Sequence, residues 1–282
     1  MSRIKEKFTE LKKRNEAALI PFITAGDPNL VTTLKILHAL EAGGADCIEL
    51  GMPFSDPTAD GPTIQRSSER ALKNGLSLPR IFALVREFRK KSQLPLILFG
   101  YFNPIFRYGL EKFCREAAGT GADGILCVDL PPEESGELKR WTDARDLDLI
   151  FLLAPTSGAD RIEQVARQGR GFVYYVSVTG VTGARRAFDD DLPSRVARVR
   201  RAAALPVGVG FGISTPKQAA WIAQFADAAV VGSALVDTIE RAAGSDQKAK
   251  SAGAFIASLK RAMVRKPSSK FKVQGSRSET KN

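Results

Sequence analysis

The chain contains eight short runs of apolar residues, separated by segments with a different periodicity. Each run is nearly continuous rather than alternating, which is typical of parallel strands that are covered on both faces. Between the runs, apolar residues recur at helical spacing, as in the stripe of Ile81, Leu84, Val85 and Phe88. The pattern predicts strands at 18–23, 47–50, 96–99, 125–128, 149–153, 172–176, 207–209 and 228–231. Eight successive strand–helix units favour a closed barrel over an open sheet.

The predicted fold class is therefore α/β, a (β/α)8 TIM barrel in a single domain spanning 1–264. The length of 282 residues suits one such barrel. Ile4, Phe8 and Leu11 are spaced as the apolar stripe of a short helix, so we expect an extra N-terminal helix that caps the closed end. The last segment, 265–282, has six Lys or Arg, one Glu and little apolar pattern. We expect it to be a disordered basic tail.

Composition and charge narrow the classes of function. The net charge is +11, but the tail accounts for +5 of it, and no recognised nucleic-acid motif accompanies it. No apolar segment is long enough to span a bilayer, and the first residues do not read as a signal peptide. The cysteines Cys47, Cys114 and Cys127 form no C-x-x-C pair, which suits a reducing compartment. We expect a cytoplasmic protein that binds neither nucleic acid nor membrane.

Polar residues and glycines concentrate directly after the predicted strands. In a barrel these positions surround the C-terminal face, where active sites are built. Two of the loops at this face, 51–62 and 179–193, are long, and long loops in compact folds commonly serve as lids or binding elements. The sequence therefore predicts an active site at this end of the barrel.

Glu49 is an acidic residue inside a strand that is otherwise suited to the barrel interior. Burial disfavours the ionised carboxylate, so its pKa should rise toward neutrality. Such a group can act as a general acid and base near pH 7. A buried glutamate satisfied by hydrogen bonds or by an ion pair fits the same position, and the sequence alone does not separate the two interpretations.

Asp60 lies eleven residues further on, in an Asp-Gly-Pro turn sequence. On spacing alone we favour a structural role, in which its side chain hydrogen-bonds its own loop. Asp56, in the same loop, is assigned a structural or interface role for the same reason.

Glycines near the ends of the last two strands predict a phosphate site. Gly210 and Gly212 follow strand seven, and Gly232 with Ser233 opens a helix after strand eight. Barrels commonly bind phosphate with backbone N–H groups of these two loops. Ser233 is predicted to be both the N-cap of that helix and a hydroxyl donor.

Several residue types are missing from the predicted site. No strand carries a lysine that could form a Schiff base, and the single histidine, His38, reads as a helix-packing residue. No carboxylate cluster has metal-ligand spacing, so we expect neither a metal nor a cofactor. Of the mechanisms considered, acid/base catalysis by carboxylates is the one that the sequence favours.

Six segments carry a resemblance to a known family. They are PFITAGDP at 21–28, ELGMPFSDP at 49–57, ADGPTIQ at 59–65, DLPPEE at 129–134, GVTG at 180–183 and GVGFGIS at 208–214. In order and in content they resemble the α subunit of tryptophan synthase. The resemblance covers nearly the whole of 1–264; the basic extension beyond Met263 is longer than the family body requires.

This resemblance implies cleavage of indole-3-glycerol phosphate to indole and glyceraldehyde 3-phosphate, a retro-aldol reaction without a cofactor. It implies that Glu49 protonates C3 of the indole ring and removes the proton of the adjacent hydroxyl group. It also implies that Asp60 stabilises the positive charge on the indole nitrogen, which reverses the structural interpretation above.

The resemblance assigns further residues to the site. Tyr174 would lie close to the catalytic carboxylate, and Thr182 would meet Asp60 when the lid closes. The implied indole pocket consists of Phe22, Phe99, Leu126 and Phe211, and the implied phosphate site of Gly183, Gly212, Gly232 and Ser233.

The family also implies a partner, the tryptophan synthase β subunit, a pyridoxal-phosphate enzyme that receives the indole in an α2β2 assembly. Pro53 and Asp56 are expected at that interface. Three alternatives stay open at this point: another phosphate-binding barrel, an isomerase or synthase; a catalytically weak subunit kept to activate its partner; and a nucleic-acid-binding module suggested by charge alone.

Overall fold

The protein is a closed barrel of eight parallel strands surrounded by helices. A computed structural model describes residues 2–177, 190–210 and 212–264. The strands of these ranges are β1 Ala18–Thr24, β2 Ile48–Gly51, β3 Leu96–Gly100, β4 Gly124–Cys127, β5 Asp148–Leu153, β6 Val173–Val176, β7 Val207–Gly210 and β8 Ala228–Val231. Each strand pairs in parallel with the next, and β8 pairs with β1 to close the barrel. The predicted fold class is confirmed, and every predicted strand agrees with the structure to within one residue at each end.

Helices follow the strands in the order expected of a (β/α)8 barrel. Those of the described ranges are α1 Arg3–Lys13, α2 Leu30–Ala42, α3 Pro62–Lys73, α4 Leu78–Arg89, α5 Phe102–Tyr108, α6 Leu110–Thr120, α7 Gly136–Asp143, α8 Ala159–Gln168, α9 Leu192–Ala203, α10 Pro216–Ala223, α11 Ser233–Arg241 and α12 Ser245–Ala262. The stripe predicted on α4 is buried against the barrel, because spacing of three and four residues places these side chains on one face. His38, on α2, packs against the Phe88 ring with centroids 5.1 Å apart, as its position in the sequence predicted.

The interior of the barrel is a packed apolar core rather than a channel. Side chains from successive strands fill it, among them Ile97, Leu126 and Ile150. Helix α1 closes its N-terminal end with Ile4, Phe8 and Leu11, as its apolar stripe predicts. The core therefore occupies the lower part of the barrel and leaves its C-terminal end to polar groups.

Aspartates that precede even-numbered strands fasten the N-terminal end of the barrel. Each accepts a hydrogen bond from the first or second backbone N–H of the preceding strand and from a basic side chain. The three groups of partners are Asp46 with Leu19 and Lys260, Asp123 with Leu96, Arg3 and Arg89, and Asp227 with Val207 and Arg200. Because each carboxylate joins a strand start to a charged helix residue, we call these three groups the aspartate clamps.

At the C-terminal end of the barrel, the described residues form a cavity. The predicted long loop after β2 runs over 52–61 and ends where α3 begins at Pro62. The second predicted loop, 179–193, lies mostly outside the described residues, as does the predicted tail 265–282. Among the described residues, no helix combines the length and the apolar character needed to cross a bilayer.

Candidate active site

Glu49 lies at the floor of a cavity at the C-terminal end of the barrel. Strand β2 directs its side chain inward, beside Phe22 of β1 and Ile97 of β3 in the strand register. The residue is fully buried, and neither carboxylate oxygen has a hydrogen-bond partner among the described residues. Burial raises the pKa of Glu49 to about 8. The side chain is therefore not held by an ion pair within the described chain, and a proton stays on it near neutral pH.

Asp60 lies on the rim of the same cavity, whose volume is about 370 Å³. Its loop is held by two side chains: the Tyr101 hydroxyl accepts a hydrogen bond from the Ala59 N–H at 3.0 Å, and the Gln65 amide donates to the Asp60 carbonyl at 2.9 Å. Burial raises the pKa of the Asp60 carboxyl, and a hydrogen bond with Tyr101 partly opposes this effect. The loop is thus fixed beside the cavity, with Asp60 in the cavity lining.

Aromatic and aliphatic side chains form the walls between the two carboxylates. The rings of Phe22 and Phe99 meet edge to face, with centroids 5.0 Å apart, and both line the cavity. Leu126 is fully buried in the core beneath, and Val128 and Leu152 also line the wall. The assignment of Leu126 to the indole pocket stays a prediction; alternate side chains of one strand occupy different layers of a barrel, which places Leu126 and Val128 at different heights.

Tyr174 lines the cavity from β6. Burial, together with the nearby Glu49 carboxylate, raises the pKa of Tyr174 well above its ordinary value, so the phenol remains protonated. Gly210 makes room for this side chain, since a Cβ at Gly210 would lie 2.5 Å from the Tyr174 hydroxyl oxygen. The tyrosine is thus a neutral group that shares the cavity with the buried carboxylate.

The glycines predicted to bind phosphate lie where the cavity meets the start of helix α11. Gly212, Gly232 and Ser233 all line it, and helix α11 begins there. Gly212 has a φ of +63°, which favours glycine. The prediction that Ser233 is the N-cap is wrong: Gly232 is the N-cap and Ser233 is the first helical residue. The first N–H groups of α11 are left without helical partners, so this end of the cavity suits an anion.

The remaining predicted residues fall into two groups. Pro53 and Asp56 lie on the loop after β2, with Pro53 half-buried and Asp56 exposed. Thr182, Gly183 and Phe211 lie outside the described residues. Within the described ranges, no three His, Cys, Asp or Glu side chains form a group that could hold a metal ion.

Tyr101 is a site residue that the sequence analysis did not assign. It begins the turn between β3 and α5, its ring lies 5.2 Å from that of Phe54, and its hydroxyl fixes the loop that carries Asp60. A polar aromatic residue directly after a strand was the available signal. What the sequence could not supply was the distance between this position and a loop more than forty residues earlier.

The closed barrel and its two-carboxylate cavity define a (β/α)8-barrel enzyme of the acid/base type. The family model described as tryptophan synthase alpha chain matches residues 8–264, so the chain belongs to the tryptophan synthase alpha chain family. The alpha chain of Geobacter sp. (strain M21) is 58% identical over 265 residues, which cover 94% of this chain and 99% of that protein. The alpha chain of Nitrosomonas europaea is 50% identical over 264 residues, covering 93% and 96%.

Solved structures agree with this assignment. The tryptophan synthase alpha chain from Legionella pneumophila superposes with a TM-score of 0.86 at 38% identity, covering 93% of this chain and 97% of that one. An open form of tryptophan synthase from M. tuberculosis gives a TM-score of 0.82 at 35% identity, covering 92% and 99%.

Proposed function

We propose that this chain cleaves indole-3-glycerol phosphate to indole and glyceraldehyde 3-phosphate, with Glu49 as the acid and base. The observation that carries the proposal is the buried carboxyl group of Glu49, which faces the cavity without a hydrogen-bond partner among the described residues. A group that must give one proton and take another needs to be free of fixed partners and close to its own pKa.

The reaction begins with proton transfer from Glu49 to C3 of the indole ring. This leaves a positive charge on the ring nitrogen and a carboxylate at Glu49. The carboxylate then takes the proton of the glycerol hydroxyl group next to C3. The electrons of that O–H bond form the aldehyde carbonyl, and the electrons of the breaking carbon–carbon bond return to the ring. Glu49 ends the cycle protonated, as it began.

Asp60 stabilises the intermediate charge. Its carboxylate lies on the rim of the same cavity, in reach of an N–H group of a ring stacked among Phe22 and Phe99. In a closed, water-poor site, stabilisation of a developing charge by a fixed group can lower the reaction barrier more than any other single effect. Tyr174 remains neutral beside Glu49 and bounds the space in which the hydroxyl group lies.

The phosphate end of the substrate is held by backbone groups of Gly212 and Gly232 and by Ser233, at the N-terminus of α11. Gly183 and Phe211 are proposed to complete the phosphate and indole sites, and Thr182 to meet Asp60. These three residues lie outside the described part of the chain.

We further propose that the chain passes indole to a tryptophan synthase β subunit in an α2β2 assembly. Pro53 and Asp56 are proposed interface residues because they lie on the loop that ends in Asp60, so contact with a partner and catalysis share one segment. A cytoplasmic location is proposed because all three cysteines are free and buried.

The test is release of indole from indole-3-glycerol phosphate, measured with and without the β subunit. We expect turnover by the wild type, a severalfold higher rate with the partner, and none by Glu49→Gln. Glu137→Gln, the same substitution at an exposed position of α7, is the matched control and should behave as wild type. Near-normal turnover by Glu49→Gln would exclude Glu49 as the acid and base. A rate of indole release that is the same with and without the β subunit would refute the proposed partner.

A further inference from the structure

Helices α3 and α11 are joined by a row of polar contacts along one side of the active-site cavity. Thr63, Arg66 and Arg70 share one face of α3, being spaced three and four residues apart. Opposite them, Asp237 and Glu240 share one face of α11, three residues apart. We call these five residues, together with Asp27 in the loop after β1, the α3–α11 seam.

Arg70 is the centre of the seam. Its guanidinium group donates two parallel hydrogen bonds of 2.8 Å to the carboxylate of Asp27, which is almost fully buried. The same group donates a third bond of 2.6 Å to Glu240. Bidentate arginine–carboxylate pairs fix orientation as well as distance. One side chain thus ties α3 to the loop after β1 and to α11.

Two further contacts extend the seam toward the cavity. The Thr63 hydroxyl donates to Asp237 at 3.1 Å, and Arg66 donates to Glu240 at 3.3 Å. On the cavity side of these bonds, Ile64 of α3 and Val236 of α11 pack together with Phe22. The seam is therefore backed by the apolar wall of the active site.

The two helices that the seam joins begin beside two different parts of the site. Helix α3 begins two residues after Asp60, and α11 begins at Ser233, beside the proposed phosphate site. On the proposed function, Asp60 receives the indole N–H group, and the site at the start of α11 receives the phosphate of the same substrate molecule. The separation of the two helix starts must therefore match the length of that molecule.

We propose that Arg70 is a positioning residue, which through Asp27 and Glu240 holds Asp60 and the phosphate site at the separation required by the intact substrate. This inference rests on the proposed function. A binding site that is already set to the length of its ligand gains from both ends at once, whereas a ligand fragment uses only one end. Loosening the seam should weaken binding of a full-length ligand and leave the fragments unaffected.

The experiment compares a full-length ligand with its two halves. The full-length probe is a non-cleavable analogue in which a three-carbon chain joins indole to phosphate; the halves are indole and glycerol 3-phosphate. Dissociation constants are measured by calorimetry for the wild type, Arg70→Met and Arg70→Lys. We expect Arg70→Met to bind the full-length analogue about tenfold more weakly, or ~1.4 kcal/mol, with both halves bound as by the wild type. Arg70→Lys keeps the charge but loses the paired bonds, so it should lie between.

Arg200→Met is the matched control. Arg200 pairs with Asp227 at 2.7 Å and is exposed to a similar degree, but it lies at the opposite end of the barrel. It should lower stability and leave all three dissociation constants unchanged. If Arg70→Met does not fold, Arg70→Lys carries the test.

Three results would overturn the inference. Wild-type affinity of the Arg70 variants for the full-length analogue removes the positioning role alone. Equal weakening of the analogue and of its halves shows general damage to the site rather than altered spacing. Failure of the wild type to bind the analogue at all removes the proposed function, and the inference with it.

Discussion

Replacing Glu49 by glutamine should make the protein inactive and, at alkaline pH, more stable. The carboxyl group is fully buried, and burial raises its pKa from an ordinary 4.5 to about 8. It binds its proton more tightly in the folded state than in the unfolded state. The free energy of unfolding must therefore decline as the pH rises from about 4.5 to about 8, and level off above that range.

The size of this decline follows from the two pKa values. The difference between 4.5 and about 8, at about 1.36 kcal/mol per pKa unit, gives ~5 kcal/mol over the full range. Between about pH 5.5 and about pH 8.5 the expected share is ~3 kcal/mol. Glutamine has almost the same shape and no charge to desolvate. Its amide also lacks partners, but that cost of about 1–3 kcal/mol does not change with pH.

Urea unfolding of wild type and Glu49→Gln at these two pH values measures the effect. The stability of Glu49→Gln relative to wild type should rise by ~3 kcal/mol from the lower to the higher pH. Glu137→Gln, with an exposed side chain, should follow the wild-type curve. Parallel curves for Glu49→Gln and wild type would refute the reasoning, because they would mean that the carboxyl group is not desolvated in the folded protein.

Three further outcomes are expected. Because the protonated form of Glu49 starts the reaction, kcat/KM for indole release should fall about tenfold per pH unit above about pH 8, and a rate that stays constant there would contradict this starting form. Gly51→Ala would place a Cβ 2.5 Å from the Phe22 ring, so urea unfolding should show a loss of ~1–3 kcal/mol and indole release should slow; Gly119→Ala, with open space around it, should lose neither. Asp123→Asn should lower the free energy of unfolding by ~2–4 kcal/mol and leave KM unchanged, since its clamp lies at the far end of the barrel; a raised KM would contradict this.

The barrel was predictable because its strands are marked by continuous apolar runs that burial on both faces requires. Helix α3 was harder to recognise from its pattern. Its buried face includes Ser67 and Ser68, and Ser67 hydrogen-bonds Thr24 at 2.6 Å. A buried face made partly of hydroxyl groups does not appear as an apolar stripe in the sequence. Such hydroxyl groups can nevertheless be buried when they form hydrogen bonds, as Ser67 does.

The site was predictable where one residue conflicts with its surroundings, as Glu49 does inside an apolar strand. It was not predictable where the answer depends on layers of side chains from different strands. Leu126 lies in β4 and Val128 directly after it, and both are apolar, yet Leu126 is fully buried in the core whereas Val128 lines the cavity. The N-cap of α11 could not be predicted for a similar reason. Both Gly232 and Ser233 suit an N-cap, and only the backbone geometry decides between them.

The aspartate clamps have a consequence for the order in which the chain folds as it is synthesised. Asp123 is paired with Arg3 and Arg89, both of which precede it along the chain. Asp46 is paired with Lys260, which lies near the end of α12. All partners of the clamp between β3 and β4 are therefore present in the nascent chain once Asp123 has been made, whereas the clamp between β1 and β2 lacks its ammonium group until residue 260 has been made. Strands β1 and β2 are thus the first to be synthesised, but of the three aspartate clamps theirs is the last for which all partners are available.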